Sequence, residues 1–243
     1  YKVNQTDLKK YIYPECFYPK MALLKDIIRQ AIPATGSMIF IGLGIFVLLY
    51  YVSIYGDYSA GGYGAAIRFE QLFLLPVLGL NTSTLSLVGQ NFGALKFDRI
   101  RETYLKSVFY GTVFMSICGI FIFFASSYIM IFFSSDPQII YYGSTYLKIA
   151  AFAGPCYPIF FISSALLQGL KKPIYQMIIN LMRMVVLPIV ALTIAVIYLK
   201  VSFLTMFLVI LSINYVFATL VFWFSVYQIK IESKNYNPNL AAV

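Results

Sequence analysis

Six stretches of the chain stay apolar long enough to cross a hydrocarbon core of roughly 30 Å: residues 33–53, 64–92, 104–133, 146–169, 174–199 and 203–228. Within each, apolar residues surround the helix instead of following one stripe, as expected where lipid and protein neighbours are both oily. The strands of a membrane barrel, about ten residues each, are too short to account for these runs. The pattern predicts an all-α, polytopic transmembrane bundle of six helices occupying residues 31–229 as one lobe. Residues 1–30 are basic and aromatic, are interrupted by Pro14 and Pro19, and read as a cytoplasmic linker ending in a short amphipathic helix. Residues 230–243 read as a cytoplasmic tail. The connections are too short to house another domain, and the lobe shows no clear internal repeat.

Composition agrees with a lipid solvent: 60% of the 243 residues are hydrophobic and 11% are charged, against about 25% charged in soluble domains. The formal charge of +9 matters more for its placement than for its size. Lys2, Lys9, Lys10, Lys20, Lys25 and Arg29 precede the first run, and Lys96, Arg99, Arg101 and Lys106 surround the second connection. Lys171 and Lys172 follow the fourth run, and Lys230 and Lys234 follow the sixth. If the runs alternate across a membrane, all these residues lie on one side, and the other side carries little beyond Lys200. The positive-inside rule then puts both termini in the cytoplasm and makes lipid headgroups the partner of the basic loops, with no nucleic acid.

Cys16, Cys118 and Cys156 are dispersed and form no CxxC, so they signal neither a disulfide framework nor a zinc site. Histidine is absent, which leaves carboxylates to handle any coupling proton or Na⁺. No cleavable signal peptide is visible, and a chain opening on tyrosine reads as a fragment. GxSxG, Walker A and HExxH are all missing, so the sequence offers no catalytic residues, metal site or cofactor, and the protein reads as a non-enzyme.

Four prolines, Pro76, Pro155, Pro158 and Pro188, fall inside the apolar runs, where each removes a backbone hydrogen bond and favours a kink. Such kinks serve gating in transporters, although prolines are also simply commoner in membrane helices. Gly89–Gly93 and Ala150–Gly154 carry small residues four apart, which predicts close helix approach.

Polar side chains at bilayer depth are costly and therefore informative. Glu70 is the one carboxylate expected there, flanked by Arg68 and Gln71. The fifth run contributes Asn180 and Arg183, and the fourth contributes Lys148 and Gln168. Arg68 and Glu70, two residues apart, point to different helix faces and each need another partner. Two readings stand side by side. In one, Glu70 binds Na⁺ or a proton and pairs with Arg183 or Lys148 when empty. In the other, Glu70 and Arg183 form a fixed ion pair between the second and fifth spans, and Lys148 snorkels to the interface.

The stretch Ala65-Ala-Ile-Arg-Phe-Glu-Gln71, followed by Leu75-Pro-Val-Leu-Gly79 and Leu87-Val-Gly-Gln-Asn-Phe-Gly-Ala94, resembles the eighth helix of multidrug and toxic compound extrusion (MATE) transporters. Tyr146 to Ile149, Leu167 to Pro173 and Arg183 to Pro188 are similar to that family's tenth and eleventh helices. Ile28 to Pro33 is similar to its lead into helix seven. The resemblance implies two six-helix lobes that export organic cations or amphipathic drugs in exchange for Na⁺ or H⁺, from the bacterial inner membrane. This chain would be the second lobe and the amino-terminal lobe its missing partner. One branch of the family carries an aspartate in helix ten, where this chain reads Tyr157-Pro-Ile-Phe-Phe-Ile-Ser-Ser-Ala165 without an acid. Two alternatives remain. One is a flippase for lipid-linked precursors, with Arg68, Lys148 and Arg183 as its phosphate-binding cations; the other is a truncated, non-transporting membrane scaffold.

Overall fold

The computed structural model describes residues 21–236, which form helices joined by short turns. Lys2, Lys9, Lys10, Lys20, Pro14, Pro19, Cys16 and the end of the tail lie outside the described residues.

Helix α1 spans Met21–Ser53 and runs through Pro33. Where the sequence suggested a separate short helix ahead of the first span, the structure has one continuous helix. A proline removes a single backbone bond and leaves the flanking turns able to carry the helix across it. Helices α2 (Asp57–Gly93) and α3 (Phe97–Phe133) follow, each 37 residues long.

The fourth apolar run is built differently from a single rod. Helix α4 starts at Pro137, where the Asp136 side chain accepts from the backbone N–H groups of Gln138 and Ile139 and caps the first turn. It ends at Ala153, and α5 (Cys156–Gly169) resumes after Gly154 and Pro155 at a bend of 54°. Residues Pro173–Tyr198 form one rod of mixed pitch: α6 (Pro173–Leu181), a π-helical turn (Met182–Val186), α7 (Leu187–Leu192) and a second π-helical turn (Thr193–Tyr198). Helix α8 spans Phe203–Tyr236. Among the described residues, α1, α2, α3, the Pro173–Tyr198 rod and α8 are each long and apolar enough to cross a membrane, and the bent α4–α5 pair meets the same length and composition when its two helices are taken together.

Helix α2 is the pillar of the bundle, packed on α1, α3, α4 and α5, while α1 also packs on α6 and α8 on α4 and α5. One buried cluster, with Tyr63, Tyr146, Leu147, Met206 and Phe207, joins α2, α4 and α8. A second, with Ile100, Tyr104, Ile162, Leu166 and Ile229, holds the basic end. The small residues that allow close approach are only in part those the sequence spacing suggested. A Cβ at Gly89 or Gly93 would meet nothing within 4 Å, whereas one at Gly119 would lie 2.5 Å from the Ala151 carbonyl oxygen and one at Gly62 would lie 2.8 Å from the Gly143 nitrogen. Only Ala151 and its neighbours in the Ala150–Gly154 stretch serve as predicted.

At the basic end, Lys172 in the α5–α6 turn bonds two side chains of α8. Its Nζ lies 2.5 Å from Glu232 Oε1 and donates to Gln228 Oε1 at 2.9 Å. Both α8 partners are buried.

Candidate functional site

Between α1, α2, the α4–α5 bend, the Pro173–Tyr198 rod and α8 lies a mostly apolar cavity of about 200 Å³. Its polar lining is short: Tyr63, Glu70 and Gln71 from α2, Tyr146 and Tyr157 from α4 and α5, Arg183 from the first π-helical turn, and Asn214 from α8.

Glu70 is 5% exposed. Tyr146 Oη donates to its Oε2 at 2.5 Å and Tyr157 Oη donates to its Oε1 at 2.7 Å, so each carboxylate oxygen has a neutral donor. Among the described residues, the ion pairs within 4.0 Å are Lys106–Glu102 and Lys172–Glu232. The expected pairing of Glu70 with Arg183 or Lys148 is therefore not formed here. Glu70 accepts from the phenols of α4 and α5 instead, and Arg183 donates through its Nε to Asn214.

Arg183 is buried, and its Nε donates to Asn214 Oδ1 at 3.1 Å. The guanidinium carbon sits 3.6 Å from the centroid of the Phe160 ring, a stacked arrangement that suits a planar cation. Asn214 is held in turn by donating to the carbonyl of Ile210. The local backbone places this arginine. Pro188 has no N–H to give the Met184 carbonyl four residues back, and the rod widens to π pitch at Met182–Val186. Helix α1 meets that widened turn at Gly44, where a Cβ would lie 2.9 Å from the Met184 oxygen.

The other candidates separate cleanly. Arg68 and Lys148 are exposed on the bundle surface, away from the cavity lining. Gln71 is exposed yet lines the cavity. Asn180 is buried and donates to Ser37, tying α6 to α1, and Gln168 donates to Gln176 at 2.8 Å, tying α5 to α6. Of the prolines, Pro155 marks the α4–α5 bend, Pro158 packs on Gly111, Pro188 lines the cavity, and Pro76 is exposed. Of the three cations named for phosphate binding, Arg183 alone reaches the cavity. Among the described residues, no three acidic, thiol or imidazole groups gather as a metal site.

Sequence reasoning passed over Tyr146, Tyr157 and Phe160 because aromatic residues are common in membrane helices, and it passed over Asn214 although its amide at bilayer depth was the same kind of signal as Asn180. One signal was available for the tyrosines. A deep carboxylate requires donors, and Tyr146 and Tyr157 flank the Gly154-Pro155 pair, whose break in the helix can turn both phenols toward one point.

Residues 33–194 match the family model described as MatE. The chain is 27% identical over 163 residues to the probable multidrug resistance protein YpnP of Bacillus subtilis (strain 168), covering 67% of this chain and 37% of that protein. It is 26% identical over 131 residues to the multidrug export protein MepA of Staphylococcus haemolyticus (strain JCSC1435), covering 54% and 29%. It is 31% identical over 132 residues to an FAD transporter of Shewanella oneidensis, covering 54% and 29%. In fold it superposes on a MOP superfamily transporter from Pyrococcus furiosus with a TM-score of 0.86 at 22% identity, covering 92% of this chain and 50% of that one. An outward-facing multidrug resistance MATE family transporter gives 0.85 at 22% identity, covering 91% and 50%. The chain thus spans half the length of these solved structures and about a third of the curated relatives. With two thirds of its residues under the family model and its six-span lobe superposing on half of known transporters, this chain belongs to the MatE family.

Proposed function

We propose that this chain is one lobe of a secondary active antiporter that exports organic cations or other amphipathic compounds from the bacterial cytoplasm in exchange for Na⁺ or H⁺. The observation that carries the reading is Glu70: a carboxylate buried in the wall of a largely apolar cavity, held by two neutral hydroxyls and no cation. Such a group gains or loses a small cation at little steric cost, and its charge state alters the polarity of the cavity beside it. Tyr146, Tyr157 and Glu70 together offer the oxygen ligands that a proton or Na⁺ requires. The basic loops orient the lobe with both ends in the cytoplasm, and the amino-terminal lobe closes the other side of the cavity.

The test is efflux of a fluorescent organic cation from cells expressing the upstream-extended protein, wild type against Glu70→Gln, at several pH and Na⁺ values. Ion-dependent efflux that the substitution abolishes at unchanged membrane expression supports the reading. Efflux indifferent to Glu70→Gln removes Glu70 from coupling, and no efflux of any tested compound removes the transport reading.

A further inference from the structure

Arg183 is a buried cation whose bonds within the protein are incomplete. Its Nε–H is taken by Asn214 and one face of its guanidinium is covered by Phe160. Among the described residues, neither terminal nitrogen has a hydrogen-bond acceptor, and no carboxylate lies within 4.0 Å of it. Those nitrogens are not sealed in the packing either. Among the described residues, the enclosed unpaired side-chain atoms are Thr112 Oγ1 and Ser225 Oγ, not the terminal nitrogens of Arg183, and Arg183 lines the cavity. The carboxylate in the same cavity, Glu70, forms no ion pair with it within 4.0 Å and accepts from two neutral tyrosines.

A buried, uncompensated charge is among the more expensive features a fold can keep, and a partner that arrives with the ligand relieves that cost. The stack on Phe160 and the bond to Asn214 fix the plane and rotation of the fork, so its free edge is organised before anything binds. We infer that Arg183 is the anion-recognition residue of the cavity, and that the compounds this lobe binds include amphipathic molecules carrying a planar oxyanion, a carboxylate, on an apolar body. The inference rests on the transport reading for its biological setting but not for its test. The apolar walls take the body, the Arg183 fork takes two carboxylate oxygens side by side, and Glu70 stays free to serve the coupling ion.

The test uses the purified upstream-extended protein in detergent and two xanthene dyes with the same ring system, one a free carboxylate and the other its methyl ester. Binding is read by fluorescence anisotropy. The wild type is expected to favour the carboxylate dye by about 10-fold or more. Arg183→Lys, which keeps the charge and loses the fork, should cut that preference several-fold, and Arg183→Met, which still packs on Phe160, should bring it close to unity. The Lys variant keeps the test valid where the Met variant fails to fold. Failure of the wild type to prefer the carboxylate dye, or a preference unchanged in both variants, overturns the inference. Efflux of the two dyes from cells separates it from the transport reading. Carboxylate-selective binding without export leaves the inference standing and removes transport, whereas export with no Arg183-dependent preference does the reverse.

Discussion

Tyr146 and Tyr157, on two helices bent by 54° to each other, donate to opposite oxygens of the single carboxylate of Glu70. Hydrogen bonds to a charged group contribute about 1.5–3 kcal/mol, and deleting one donor leaves a carboxylate oxygen facing an apolar wall. Tyr146→Phe and Tyr157→Phe should each lower the thermal stability of the purified protein by that order. In a Glu70→Gln background the same deletions should cost clearly less, giving a coupling energy of about 1 kcal/mol or more. Additive losses in the double-mutant cycle would show that the phenols and the carboxylate act independently.

The packing map makes a sharper distinction among glycines than their spacing does. Gly119→Ala would drive a methyl group against the Ala151 carbonyl, a backbone atom that cannot step aside, and Gly62→Ala would do the same against Gly143. Overpacking of this kind costs roughly 1–3 kcal/mol. Gly89→Ala enters open space and should be neutral or slightly stabilising for its helix. Melting curves followed by size-exclusion chromatography of the three variants check the order. Equal behaviour at Gly89 and Gly119 would contradict it.

Lys172 and Glu232 clamp the α5–α6 turn to α8, with the carboxylate buried and the ammonium about a quarter exposed. Removing the cation alone strands a buried acid, so Lys172→Met should destabilise by about 1–3 kcal/mol, below the range for fully buried pairs because water reaches the lysine. The double variant Lys172→Met, Glu232→Leu should recover most of the loss, since no charge is left behind. A double variant as unstable as the single one would show that the lysine acts through its packing instead.

The fold was legible in the sequence because a lipid solvent writes a coarse signal. Any run of about twenty apolar residues must be helical, and charge at bilayer depth is rare enough that Glu70 and Arg183 stand out. What decides the site is finer. Whether Arg183 meets Glu70 or Asn214 depends on a widened π turn at Met182–Val186 and on a glycine in another helix, Gly44, neither of which has a distinctive local pattern. Arg68 and Lys148 stood beside Arg183 as candidate cations of the cavity. They differ in which face of an apolar helix they occupy, and a helix hydrophobic all round carries no moment to tell one face from another. Glu232 was overlooked because it stands among lysines in a stretch that reads as a solvated tail.

The bend itself is open to test at Pro155. On a straight helix, Tyr146 and Tyr157 would stand about 16 Å apart along the axis, too far for both to approach one carboxylate without stretching toward each other. The break at Gly154 and Pro155 turns α5 against α4, and both phenols then reach Glu70 from one side of α2. Replacing Pro155 with alanine restores a backbone donor and removes the steric bar to a continuous helix, at a gain in helix propensity of up to ~3 kcal/mol. The expected outcome is a protein that folds with unchanged or higher thermal stability but in which Tyr157 no longer contributes to the Glu70 cycle. The Tyr157→Phe penalty should fall to the few tenths of a kcal/mol typical of an exposed change while the Tyr146→Phe penalty persists. Retention of both penalties in the Pro155→Ala background would show that packing against Gly111 and Phe217, and not the proline, holds the bend.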